Sequence, residues 1–141
     1  MTMDFRRLDP GDGHRLARVA EDVFDHDIDV AHAEHCLSDR NHVVVVAIAD
    51  GVVVGQIAAI LHRRIDAPSE LYLDNLGVTP RHRRQGIATR LIALARDIGR
   101  ELGCDGAWVA TEIDNDAAAA LYGRTGAVRE TVSLFSYEPD G

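Results

Sequence analysis

The sequence predicts an α/β fold built as one mixed sheet with helices on both faces. Three observations point there. Two β-branched-rich runs, Val43–Ala49 and Val52–Leu61, flank Asp50-Gly51, a dipeptide that two-residue hairpin turns favour. A long run from Gln85 to Leu102 carries Ile87, Leu91, Leu94, Ala95, Ile98 and Leu102 at helical spacing. Strand-like runs at Leu71–Val78 and Ala107–Ile113 alternate with helical ones, the pattern of a layered α/β domain.

The elements follow in order. Met3–Leu8 reads as a first strand, and Asp9-Pro10-Gly11-Asp12-Gly13 as a turn with helix-start chemistry. Leu16, Val19, Ala20, Val23 and Phe24 share one helical face, which predicts a first helix. Asp25–Asp29 is an acidic loop, and Val30–Ser38 a short second helix. After the hairpin, Asp66-Ala67-Pro68 turns the chain into Leu71–Val78, the third strand of a meander. Gly103 is placed to end the long helix. Ala107–Ile113 is a strand, Asn115–Arg124 a helix and Val128–Tyr137 a last strand, giving the order βααβββαβαβ. With no repeat or linker, residues 1–141 are expected to form a single domain.

Composition excludes several classes. At 46% hydrophobic and 27% charged, the chain is globular rather than disordered. No run of 18 uncharged apolar residues exists, so no membrane partner is expected. The first residues, Met1–Arg7, lack an apolar signal core, and a cytoplasmic location is expected. Cys36 and Cys104 make neither a disulfide framework nor a ligand spacing. His32 and His35 are spaced to share a metal, but no third ligand is suggested, so no metal is expected. The net charge of −8 argues against nucleic acid and favours a cationic partner. All 15 basic residues are Arg.

Chemistry concentrates at Arg83-Arg84-Gln85-Gly86-Ile87-Ala88, between the Leu71–Val78 strand and the long helix. Amides at a helix N-terminus lack partners and carry partial positive charge, which suits phosphate. Gly86 and the small Ala88 permit close approach, and the two arginines add charge. The segment is neither a dinucleotide fingerprint nor a P-loop, since the spaced glycines and the lysine are missing.

Arg83–Ala88 resembles the R/Q-x-x-G-x-G/A signature of the GNAT family of acetyl-coenzyme A-dependent N-acetyltransferases. A second match lies downstream at Asn115-x-x-Ala118-x-x-Leu121-Tyr122, followed by Gly126. The resemblance implies a mostly antiparallel central sheet that splays at the cofactor site, between the strands at Leu71–Val78 and Ala107–Ile113. It implies that Leu76, Gly77 and Val78 offer backbone groups to pantetheine. Arg83, Arg84, Gln85, Gly86, Ile87, Ala88 and Thr89 would hold the pyrophosphate, and Asn115, Ala118 and Tyr122 would complete the acetyl-coenzyme A site.

Amine acetylation needs a proton taken from the amine and one returned to the leaving thiolate. The resemblance places the Tyr122 phenol as the acid. A phenol with a pKa of about 10 can protonate a thiolate whose thiol titrates at about 8.5. The base is less direct. Related enzymes carry a carboxylate at positions matching Tyr72 or Ala110, where this chain has none. Acids lie two residues on, at Asp74 and Glu112, and strand parity places Tyr72, Asp74 and Leu76 on one face and Trp108, Ala110 and Glu112 on one face. Glu112 is the first candidate base and Asp74 the second.

A closer resemblance concerns the acceptor. Arg81–Thr89, Ala118–Tyr122 and Asp50–Gly55 are similar to segments of GNAT-type aminoglycoside 3-N-acetyltransferases. Asp25 and Asp27 fall in the acidic loop, and Glu112 falls where those enzymes carry an Asp; with Asp74 they form the candidate acceptor-binding set. This chain departs from them at Asp74, Asn75 and Asn115. The implied activity is direct attack, in a ternary complex, of a polycationic amine on the acetyl group. Alternatives are a GNAT enzyme for a polyamine, small metabolite or protein N-terminus, or a non-catalytic acetyl-coenzyme A-binding module. The Val128–Tyr137 strand is a candidate edge for pairing across a homodimer.

Overall fold

The computed structural model describes residues 2–140, which divide between Ala110 and Thr111 into two compact units. The first holds a five-stranded sheet in the order β1 (Met3–Arg7), β2 (His42–Ala49), β3 (Val52–His62), β4 (Glu70–Val78) and β5 (Gly106–Trp108). The first four strands pair antiparallel, and β5 runs parallel to β4. Helices α1 (Val30–Leu37) and α2 (Ile87–Glu101) complete the unit, with short 3-10 turns at Gly13–Leu16 and Pro80–His82. Asp50 (φ 52°) and Gly51 (φ 77°) both take the left-handed conformation that lets a two-residue hairpin match strand twist.

The two sheet faces have different jobs. Helix α2 buries Ile87, Leu91, Ile92, Ala95 and Gly99, and burying each large aliphatic side chain contributes roughly 1.5–3 kcal/mol. It needs Gly55 beneath it: a Cβ there would lie 3.0 Å from Ile87 Cγ2. On the other face, Leu37 of α1 joins Leu8, Leu16, Val23, Val46 and Val53 in one buried cluster.

Four expectations need correction, three of them in the first unit. The first helix does not form; a single 3-10 turn is followed by non-helical chain up to Asp29. Val19 bridges Val53 instead, through Ala20 N–H to Val53 O (2.9 Å) and Val53 N–H to Arg18 O (2.9 Å). Asp22 then takes φ 62°, which no right-handed helix accommodates. Leu16 and Val23 are buried all the same, so the apolar spacing reports burial rather than helix. The second correction concerns the strand expected at Ala107–Ile113, which ends at Trp108. Third, β4 carries a bulge: Leu73 pairs with Ala59 and Asn75 with Ala58, leaving Asp74 extra. Beyond it parity inverts, and Leu76 pairs with Ile57 on the α2 face. Leu76 therefore does not share a face with Tyr72.

In the second unit, α3 (Asp116–Arg124) is capped by Asn115, whose side chain accepts from Ala118 N–H at 3.0 Å. The segment 128–137 forms no strand among the described residues. A strand exists only through a partner's ladder, and the described residues of this unit contain no other strand.

Glu34 of α1 clamps the turn before it. Its carboxylate accepts from Gly11 N–H and Gly13 N–H, both at 2.8 Å. These two bonds hold its pKa below the ordinary 4.5. A depressed carboxylate stabilises the fold above its unfolded pKa and loses that contribution as pH falls through the folded value. Melting should show the wild type losing this contribution as the pH falls below the ordinary 4.5 and through the lowered folded value. Glu34→Gln should be weaker at neutral pH and lose less over that window. Parallel curves for the two proteins would discard the clamp.

Candidate active site

The end of β4 leads through Thr79 and the Pro80–His82 turn into a tight corner. Arg84 (φ 63°) and Gly86 (φ 79°) are both left-handed and flank Gln85, a backbone alternation that gathers successive N–H groups into a concavity for an anion. Gly86 is the N-cap of α2; no side chain caps the helix and its first turn holds no acid. The first intrahelical bond runs from Arg90 N–H to Gly86 O at 3.0 Å, so the amides of Ile87, Ala88 and Thr89 precede it without intrahelical partners. A Cβ on Gly86 would meet nothing within 4 Å. Ile87 is buried and anchors the turn, while Arg84, Gln85 and Thr89 are exposed. Arg83 is also exposed. Its Nε donates to Val78 O at 3.1 Å, which uses one of five donors and braces the corner against β4. An uncapped, anchored, basic helix start fits a pyrophosphate.

Next to this corner the sheet is open. β5 pairs with β4 only at Glu70, Leu71 and Tyr72. From Leu73 to Val78 that edge of β4 has no strand partner among the described residues, which suits an extended ligand that pairs with backbone. Leu76 and Gly77 lie in this stretch, and Val78 ends it with its carbonyl already accepting from Arg83.

The face opposite α2 carries the acids. The loop after the first 3-10 turn lines a cavity of about 690 Å³ with Glu21, Asp22, Asp25, Asp27 and His26. None of the four carboxylates forms an ion pair among the described residues. The loop crosses β4 at Gly77, where any Cβ would overlap the Val23 carbonyl. Tyr72 and Trp108 stack on this face, 4.4 Å between ring centroids. Burial, and then the Asp74 carboxylate beside it, push the Tyr72 phenol up. Asp74 is exposed and its carboxylate lies beside Tyr72, and the bulge brings Asn75 onto the same face.

Two residues here escaped sequence reasoning. Gln56 is fully buried and donates from Nε2 to Val23 O (3.1 Å) and to Asn75 Oδ1 (2.7 Å). It is the only polar side chain between Val52 and Leu61, and that solitary polarity was the available signal. Trp108, half-exposed at a strand end, is the other.

Glu112, Asn115, Ala118 and Tyr122 belong to the second unit. Glu112 is exposed, outside any strand, and its carbonyl accepts from Asn115 N–H at 3.0 Å. The Asn115 side chain is spent on capping Ala118 N–H. Tyr122 is half-buried on α3, and burial raises its phenol above the ordinary value.

Known proteins share the fold. Residues 12–127 match the acetyltransferase (GNAT) family. N-alpha-acetyltransferase 30 of Schizosaccharomyces pombe is 36% identical over 58 residues, 41% of this chain and 39% of that protein. The chain matches well under half the length of the curated relatives it resembles. An aminoglycoside acetyltransferase from an uncultured soil metagenomic sample superposes with a TM-score of 0.83 at 29% identity, covering 99% of this chain and 100% of that one. The aminoglycoside N-acetyltransferase AAC(6')-Iy, solved in complex with CoA, shares the fold with a TM-score of 0.80 at 22% identity, covering 97% and 95%. The chain belongs to the acetyltransferase (GNAT) family, whose members take their acetyl group from acetyl-coenzyme A.

Proposed function

We propose that the protein acetylates a primary amine of an aminoglycoside, with the 3-N position favoured. The observation that carries this is the cavity with four carboxylates free of ion pairs and no arginine in its wall. Such a surface attracts a small molecule bearing several ammonium groups, and more strongly at low salt. The full-length likeness to a soil aminoglycoside acetyltransferase supports it. The 3-N preference rests on the sequence segments around Arg83 and Tyr122, and the likeness to AAC(6')-Iy makes regiochemistry a matter for experiment.

When bound, acetyl-coenzyme A supplies an activated thioester. The α2 corner, Arg83 to Thr89, would take its pyrophosphate, and Leu76 to Val78 its pantetheine. Asp25 and Asp27 hold and orient the cationic acceptor. Asp74, on the same face as the cavity loop, accepts the proton that the attacking ammonium must lose, directly or through one water. We place Asp74 ahead of Glu112 in this role because it shares a unit and a face with the acidic loop. Tyr122, whose phenol burial raises above its ordinary value, returns a proton to the leaving sulfur.

Free thiol release should be fast with gentamicin-type and kanamycin-type acceptors and absent with short peptides. Asp25→Asn/Asp27→Asn should raise the acceptor KM roughly three- to tenfold at low salt and less at high salt. Turnover with spermidine or peptides alone would replace the acceptor and keep the chemistry. Tyr122→Phe should lower kcat about a hundredfold with acetyl-coenzyme A affinity unchanged. Asp74→Asn should act similarly and Glu112→Gln weakly; the reverse order would transfer the base to Glu112. Gly86→Ala puts a side chain at a left-handed residue, a strain of about 1 kcal/mol, and should weaken acetyl-coenzyme A binding roughly tenfold as the corner relaxes. An unchanged Kd would remove the corner from the donor site.

A further inference from the structure

Gln56 makes two hydrogen bonds through one nitrogen and leaves its other polar atom unused. Nε2 reaches Val23 O and Asn75 Oδ1, while Oε1 is buried without a partner. Such an orphaned acceptor is costly in a core, yet the chemistry of the partners forbids turning the amide over. The Val23 carbonyl can only accept, so Gln56 must show it the NH2 group. The second proton of that NH2 points at Asn75, which must answer with oxygen. The Asn75 NH2 is thereby directed away from Gln56. It donates to no protein acceptor among the described residues, and it is not among the buried polar atoms that lack partners. The residue beside Asp74 therefore presents donors, not an acceptor, on the face that carries the acidic loop.

We propose that Gln56 is a positioning residue that locks Asn75 with its amide hydrogens outward, making Asn75 a specificity determinant for amines that carry a hydroxyl or ether oxygen on the neighbouring carbon. The inference rests on Asp74 facing the reacting amine, as proposed above. With the amine at Asp74, the neighbouring substituent of the acceptor meets Asn75. A hydroxyl oxygen accepts from the Asn75 NH2. A second ammonium at that place has only donors and opposes it. The Gln56 bond to Val23 also ties the base of the acidic loop to the same point, so loop and selector share one anchor.

The test uses the full chain with acetyl-coenzyme A and two probes, trans-2-aminocyclohexanol and trans-1,2-diaminocyclohexane, read by thiol release. The wild type should favour the amino alcohol in kcat/KM. Asn75→Asp keeps the Gln56 bond and turns an acceptor outward. It should shift the ratio toward the diamine at least tenfold with the acetyl-coenzyme A KM unchanged. Gln56→Leu frees the Asn75 amide and should bring the ratio toward one. Identical ratios in all three proteins would overturn the proposal. Side-chain amide hydrogen exchange of the wild type gives a reading independent of turnover: slow for the Gln56 NH2 and fast for the Asn75 NH2. The opposite order overturns the locked orientation. Acetylation of neither probe, with the expected exchange order, would overturn the placing of the amine at Asp74 and with it the selector role, leaving the orientation established.

Discussion

A single extra residue in β4 organises much of the first unit. Asp74 has no counterpart on β3, because Leu73 faces Ala59 and Asn75 faces Ala58. Without it, strict alternation would send Asn75 to the α2 face and Leu76 to the acidic one. With it, Leu73 and Leu76 both align with positions that face α2, while Tyr72 and Asn75 align with positions on the other face. A bulge also bends and twists its strand. It lies just beyond the last residue that β5 pairs with, Tyr72.

In the proposed site the same strand would serve both chemistries through different atoms. Its main chain, at Leu76 to Val78, borders the open edge that continues into the α2 corner. Its side chains, at Tyr72, Asp74 and Asn75, lie on the face that carries the acidic loop. The two demands do not compete, because ladder groups lie in the plane of a sheet and side chains stand out of it. Gly77 joins them: it has no side chain because the Val23 carbonyl of the acidic loop passes over it.

Much of this was legible in the sequence. Asp50-Gly51 marked the hairpin, and the left-handed pair confirms the turn chemistry. The apolar spacing of the long helix located α2, although the helix begins at Ile87 rather than Gln85 because Gln85 is held in the left-handed corner. The helix expected at Asn115–Arg124 forms from Asp116, with Asn115 as its cap. What was not legible depends on partners distant in the chain. Leu16 to Phe24 has helical spacing, but Val19 finds Val53 and the chain follows the sheet. The bulge at Asp74 is invisible to any count of alternation, since that count assumes no residue is skipped. Segment 128–137 has strand-like residues and no ladder, because residue preference alone does not supply a second strand. Gln56 interrupts an apolar run, and only its two acceptors explain it.

The division of the sheet into two faces bears on the order in which ligands arrive. Gly55 sits under Ile87 and Leu91, so the anion corner is fastened to one face of β3. Gln56, the next residue, points to the opposite face and fastens the acidic loop. Consecutive residues of one strand thus moor the two proposed half-sites on opposite sides of a single layer. Each reactant would have its own doorway, and occupation of one doorway would leave the other clear. A compulsory sequence of arrival would then have to come from a movement of the chain, since the first unit by itself imposes no queue.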